Sequence, residues 1–193
     1  ECETAGLKGE FARDFGRVSS VINERARWAD LVILNLAFPP QPQIVSRLGS
    51  GLRDLIQRCP RPVMTVPQPT EKLDNLLVAY DASPKANESL YIAAYFAGRW
   101  GAKLTVLSVV EDANQRSWQI VRAKYYLKKQ GLEARYLKKE GEVAAAILET
   151  AREEDIDLIL MGGYSRPPVA EVILGSALDE VLRKTRRPVL ICR

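Results

Sequence analysis

Three glycines and two serines near the C-terminus are spaced as a phosphate cradle would need. Gly162-Gly163-Tyr164-Ser165-Arg166 follows an apolar run, and Gly175-Ser176 comes after nine residues beyond Ser165. Glycine lacks a Cβ, so Gly162 and Gly163 let the backbone bend and approach a ligand closely. Gly175-Ser176 is placed to open a helix, where free N–H groups and the positive end of the dipole favour phosphate. Arg166 adds a cation between them. Asp81 ends another apolar run. It reads either as a turn residue leading into a helix or as an acceptor for a ribose hydroxyl and a ligand to Mg²⁺. Val109, late in a third run, is either core or an apolar wall for a base. The glycines and serines also suit an ordinary strand-end turn and helix cap. Neither GxxxxGK[ST] nor GxGxxG is present.

These residues need elements to bring them together. Asn75–Tyr80 (NLLVAY) reads as a strand, with Ser83 as the N-cap and Pro84 as the first residue of a helix that runs to about Trp100 and stops at Gly101. Lys103–Val110 is a second strand, and a helix from about Ala113 to Gln130 follows. Leu132–Lys138 alternates as an outer strand would, and Gly141-Glu142 opens an Ala-rich helix to about Asp155. Asp157–Met161, Ser176–Thr185 and Pro188–Cys192 complete the order as strand, helix and strand. Strands alternating with helices require parallel pairing and right-handed crossovers. The continuously apolar runs at 76–80, 104–110 and 157–161 fit strands covered on both faces. The expectation is an α/β fold with a five-stranded parallel doubly wound sheet, flavodoxin-like, order 3-2-1-4-5. Ligands bind such sheets beyond the carboxyl ends of the strands, at the topological switch.

The chain also contains the end of this unit twice. Asp30 matches Asp157, Leu48-Gly49-Ser50 matches Leu174-Gly175-Ser176, and Arg61-Pro62-Val63 matches Arg187-Pro188-Val189. This is a tandem repeat. Residues 1–67 correspond to the C-terminal half of a domain, 68–72 to a Pro-containing linker, and 73–193 to a complete domain. In the first copy Phe11–Phe15 falls near the third-strand position, Val18–Arg27 matches a helix, Leu31–Leu34 a strand, Leu52–Arg58 a helix and Val63–Val66 the last strand. A half-domain without its central strand exposes an apolar sheet edge. The simplest reading is a natural protein that extends upstream; a rearranged or partner-completed half-domain is the alternative. Asn35 stands where Gly162 does, the loop is Ala37-Phe38-Pro39-Pro40, and Asp81 has no equivalent. The first copy therefore reads as structural. The last strands, Val63–Val66 and Pro188–Cys192, are expected to mediate pairing, either between these domains or in a homo-oligomer.

Composition narrows the function. Hydrophobic residues make up 47% of the chain, enough for a substantial core, and charged residues 27%. The net charge of +4 comes from basic residues interleaved with acidic ones, so it reads as a mixed surface with no nucleic-acid partner. There is no histidine, which excludes His-based triads and His-containing zinc sites. The three cysteines, Cys2, Cys59 and Cys192, are far apart. Cys59 and Cys192 read as buried free thiols in a reducing, cytoplasmic setting. No apolar run approaches 18 residues, so direct membrane insertion is not expected.

The pattern Gly162-x-x-Ser165-x9-Gly175-Ser176 resembles the G-x-x-G-x9-G-[ST] signature of the universal stress protein family, which shares the adenine-nucleotide alpha hydrolase-like fold. VAYDAS at 78–83, LSVVED at 107–112 and PVLIC at 188–192 belong to the same resemblance. It covers 73–193 whole and, more weakly, 7–67. It implies a site for ATP, ADP or AMP, with Mg²⁺ where the nucleotide brings it. Asp81 and Ala82 would then face the ribose and metal, Val109 and Met161 would wall the adenine, and Gly162, Ser165, Arg166, Gly175 and Ser176 would meet sugar and phosphates. The family's second glycine is Ser165 here, which costs about 1 kcal/mol if that position needs positive φ. Two functions follow. One is an ATP-binding regulatory or stress-response domain. The other is a nucleotide-free interaction domain, attached for example to a transporter. A hydrolase is the weaker third reading, because no base–nucleophile pair is visible.

Overall fold

The computed structural model describes residues 6, 8–36, 51–69, 72–110, 117–164 and 176–193. Seven strands form one sheet. They are β1 (Val32–Asn35), β2 (Val63–Val66), β3 (Asn75–Ala79), β4 (Lys103–Val110), β5 (Arg135–Glu140), β6 (Leu158–Gly162) and β7 (Val189–Cys192). Their spatial order is β1-β2-β7-β6-β3-β4-β5. Within 73–193 this is the expected 3-2-1-4-5 order, with every neighbouring pair parallel. The sheet does not stop at five strands. β7 continues into β2 through an antiparallel pairing, Val63 opposite Ile191, Met64 opposite Leu190 and Thr65 opposite Val189. β1 then pairs parallel to β2. The two terminal strands thus pair within one chain, and an apolar edge that would otherwise recruit another strand is covered.

The helices are α1 (Val18–Arg25, continued by a 3₁₀ turn over Ala26–Trp28), α2 (Gly51–Arg58), α3 (Pro84–Trp100), α4 (Trp118–Lys129), α5 (Val143–Glu153) and α6 (Ala177–Lys184). They cover both faces of the sheet. On one face Leu55 and Ile56 of α2, Ile147 of α5, and Leu178, Val181 and Leu182 of α6 pack on Leu77, Leu107, Ile159, Val189 and Ile191. On the other, Leu90, Ala93 and Ala97 of α3 and Leu127 of α4 pack on Leu76, Val78, Val106, Leu160 and Leu190. Leu76, Leu77, Leu158, Ile159, Leu160 and Leu190 are all fully buried. Burial on both faces is why these strands lack polar alternation.

Local signals set the boundaries. Ser83 caps α3 by accepting from the Ala86 N–H at 3.2 Å, Pro84 begins the helix, and Gly101 ends it at φ 71°. Glu142 caps α5, accepting from the N–H groups of Ala144 and Ala145 at 3.0 and 2.6 Å. The fifth strand begins at Arg135 instead of Leu132, because Gly131 (φ 69°) closes a turn after α4 before pairing with β4 starts at Thr105 opposite Arg135. Ion pairs line this outer strand: Lys139 reaches Glu149 and Glu153, both at 2.8 Å, and Arg135 reaches Glu154 at 2.8 Å.

One expectation fails. Phe11–Phe15 is not a strand, and both phenylalanines are exposed, Phe11 by 94% and Phe15 by 84%. Strand structure needs a partner's N–H and C=O groups. The described sheet ends at β1, and the segment is held instead by Asp14, which pairs with Arg25 at 3.0 Å.

Candidate functional site

β3 and β6 are neighbours in the sheet but far apart in sequence. The chain leaves β3 for α3 on one face and leaves β6 toward α6 on the other. Such a divergence opens a crevice beyond the carboxyl ends of the strands. A cleft of about 200 Å³ lies there, lined by residues from β3, β4, β6 and the starts of α3, α5 and α6. Its apolar side is Ala79, Leu107, Val109, Ile147 and Met161; its polar side is Asp81, Ser83, Lys85 and Ser176.

Five of the residues picked from the sequence meet in this cleft: Asp81, Val109, Met161, Gly162 and Ser176. Ser165, Arg166 and Gly175 lie outside the described residues, as do the Pro167-Pro168 and Ala37–Pro40 segments and Gly49-Ser50. Ala82 does not line the cleft. It is 8% exposed, and its φ of 64° is unusual for a residue with a Cβ. Its part is conformational: the left-handed turn leaves Asp81 at the cleft while Ser83 starts the helix. Asp81 is a turn residue that also lines the cleft. Its Oδ1 accepts from the Ser83 N–H at 2.8 Å, a turn contact, and the exposed carboxylate still borders the cleft.

The glycines have a packing role as well as a place in the lining. A Cβ on Gly162 would sit 3.0 Å from the Lys85 Cβ, and one on Gly163 would sit 2.9 Å from the Cys192 carbonyl oxygen. Gly163 also donates its N–H to that carbonyl. The close approach read from the sequence as an approach to ligand is thus already made to α3 and β7. Ser176 Oγ accepts from the Asp179 N–H at 3.0 Å, so it is the N-cap of α6, and Ala177 and Leu178 of the first turn line the cleft.

Sequence reasoning missed three neighbours. Lys85 places its Nζ on the Tyr164 carbonyl and brings a cation to the cleft. Tyr80 donates its hydroxyl to Asn87 Oδ1 at 2.7 Å, and burial pushes its pKa above the usual phenol value. Tyr164, 5% exposed, donates its hydroxyl to Asp179 Oδ1 at 2.6 Å. Lys85, four residues beyond Asp81 and in the first turn of α3, is the one with a usable signal. Among the described residues no cluster of three or more His, Cys, Asp or Glu side chains could hold a metal. An Mg²⁺ ion fits here only as nucleotide-borne, with Asp81 as its one carboxylate among the residues lining the cleft.

The family model of the universal stress protein family matches residues 72–193, more than half of the chain. The chain belongs to this family. A universal stress protein of Synechocystis is 27% identical over 167 residues, covering 85% of this chain and 58% of its own length. The chain therefore spans little more than half of that relative. A universal stress protein structure from Archaeoglobus fulgidus superposes with a TM-score of 0.81 at 22% identity, over 99% of this chain and 71% of that one. A universal stress protein solved in complex with cAMP aligns over 62% of this chain and 96% of its own, with a TM-score of 0.56 and 24% identity. These likenesses extend the fold assignment beyond the matched segment to the N-terminal strands. No described helix of this universal stress protein is long and apolar enough to cross a membrane.

Proposed function

We propose that the cleft between β3 and β6 binds an adenine nucleotide, ATP or its ADP and AMP relatives, and that occupancy regulates a cytoplasmic stress response. The observation that carries this reading is convergence. Asp81, Val109, Met161, Gly162 and Ser176 come from four separate stretches and line one cleft. Val109 and Met161 would wall the base, Asp81 would face the ribose and any Mg²⁺, and Ser176 with the first turn of α6 would receive phosphate. Ser165, Arg166 and Gly175 would complete the phosphate side. The family member in complex with cAMP supports an adenine ligand.

A second reading is favoured by Lys85. Its hold on the Tyr164 carbonyl, in a cleft of about 200 Å³, suits a domain that keeps this mouth closed and acts through contacts alone. Calorimetric titration with ATP, with and without Mg²⁺, separates the two. Nucleotide binding predicts one saturable site per chain, abolished by Gly175→Glu and unaffected by Gly49→Glu. No heat of binding at millimolar ATP with Mg²⁺ would overturn it in favour of the nucleotide-free domain. Recovery of binding by Ser165→Gly would then identify the departed glycine as the cause.

A further inference from the structure

The β2–β7 joint has an internal symmetry that makes one buried ion pair informative. The spacing that relates Arg61-Pro62-Val63 to Arg187-Pro188-Val189 also relates Met64 to Leu190. Met64 and Leu190 are opposite each other in the antiparallel register. The flanking pairs, Val63 with Ile191 and Thr65 with Val189, exchange under the same correspondence. A local twofold axis therefore passes through the Met64–Leu190 pair. Carried back to the preceding helices, that spacing relates Arg53 of α2 to Asp179 of α6. These two equivalent positions meet: the Arg53 guanidinium lies 4.0 Å from Asp179 Oδ2, with side chains only 8% and 5% exposed. Arg53 also stacks 4.3 Å over the Tyr164 ring, whose hydroxyl donates to Asp179.

In a symmetric pair, each position near the axis faces its own counterpart. Two copies of residues 73–193 joined through β7 would set Asp179 against Asp179, two carboxylates buried at one point. Two copies of the N-terminal segment joined through β2 would set Arg53 against Arg53. Only the mixed joint brings opposite charges together. We propose that Arg53 and Asp179 are a sorting pair, which makes the β7 edge accept the α2–β2 segment and refuse a second copy of itself. The pair specifies the partner by the repulsion it creates in the wrong assemblies. This inference concerns assembly and stands apart from the nucleotide reading.

The test uses the full chain in two reciprocal variants. Arg53→Asp and Asp179→Arg each place like charges at the axis within one chain. Each alone should lose roughly a hundredfold in hydrogen-exchange protection at the Val63, Thr65, Val189 and Ile191 amides, which face across the joint, as breaking a buried pair does. Refolded together, they should form a 1:1 reciprocal dimer. The two substituted positions then face each other across chains with opposite charges, and the native Arg53 and Asp179 do the same at the second joint. Light scattering should give the dimer mass, and protection at both strands should return. The neutral double variant Arg53→Met/Asp179→Asn should keep the parent's mass, with protection within about tenfold of the parent, since it lacks like charges. Native protection in either single variant would overturn the proposal. So would a mixture that remains unprotected, or a neutral double variant as weakened as the charge reversals, which would make packing the cause.

Discussion

Two stretches of the chain run strand, helix, strand into the β2–β7 joint, β1–α2–β2 and β6–α6–β7, and only the second stands beside a cleft. β6 and α6 face β3 and β4, whereas β1 and α2 have no strand beyond β1 among the described residues. Asn35 holds the position of Gly162 and is exposed, and Leu36 holds that of Gly163 and packs against the core. Leu36 donates its N–H to the Val66 carbonyl at 3.3 Å, as Gly163 does to that of Cys192, yet carries a full side chain there. A site of this kind is made by two strands that send their helices to opposite faces. The glycines follow from that neighbourhood and do not create it.

The sharpest way to break the comparison is at the paired positions Gly163 and Leu36. Gly163→Val would drive its Cβ against the Cys192 carbonyl and Ile56, a backbone contact that cannot swing aside. It should lower stability by about 1–3 kcal/mol in urea unfolding. Leu36→Val keeps an apolar side chain at the other unit and should cost less than about 1.5 kcal/mol. Equal losses would mean that both loops are equally constrained and that the two units do not differ in this respect.

A smaller effect tests the helix starts. Ser176→Ala removes the acceptor for the Asp179 N–H and should cost about 1 kcal/mol. If Ser176 also meets phosphate, ATP affinity should fall further in the variant than in Ser83→Ala, which removes the equivalent cap from α3. Identical nucleotide affinities for the two variants would restrict Ser176 to capping.

The smallest effect near neutrality concerns Cys192. Burial pushes its thiol from the ordinary 9.0 up to about 12. A raised folded pKa leaves this contribution to stability intact below pH 9, with loss as pH rises from there toward 12. Cys192→Ser or Cys192→Ala should flatten the alkaline limb of unfolding measured between those values. At about pH 8, iodoacetamide should leave both Cys59 and Cys192 unmodified until the chain unfolds, because both are fully buried. Rapid labelling of the folded chain would contradict this burial.

Much of the fold is legible in the sequence because it rests on local chemistry. Continuous apolar runs mark β3, β4 and β6; Ser83-Pro84 and Gly101 mark the ends of α3. The repeated Arg-Pro-Val marks the two strands that pair at the joint. What the sequence hides depends on residues distant along the chain. Arg53 stands in GLRDLIQR, which reads as a surface helix, and its burial becomes visible only once α2 lies beside α6. Lys85 looks like an ordinary first-turn lysine until the end of β6 passes over it. Phe11–Phe15 misleads in the opposite sense, since a place near the third-strand position of the repeat carries no information about whether a neighbour exists to pair with. At the cleft, Asp81, Val109, Met161, Gly162 and Ser176 line the walls and Ala82 supports them from behind. Gly162 does make a close approach, but to α3.

The ion pairs of β5 have a further consequence for growth. Lys139 with Glu149 and Glu153, and Arg135 with Glu154, put fixed charge along one border of the sheet. β1, at the opposite border, is Val-Ile-Leu-Asn, with Ile33 60% exposed. Fixed charge on an edge strand opposes its pairing with a strand of another molecule, because the approaching strand would have to strip those ions of water and partners. The charge on β5 thus closes that border of the sheet to further strands without any element having to cover it.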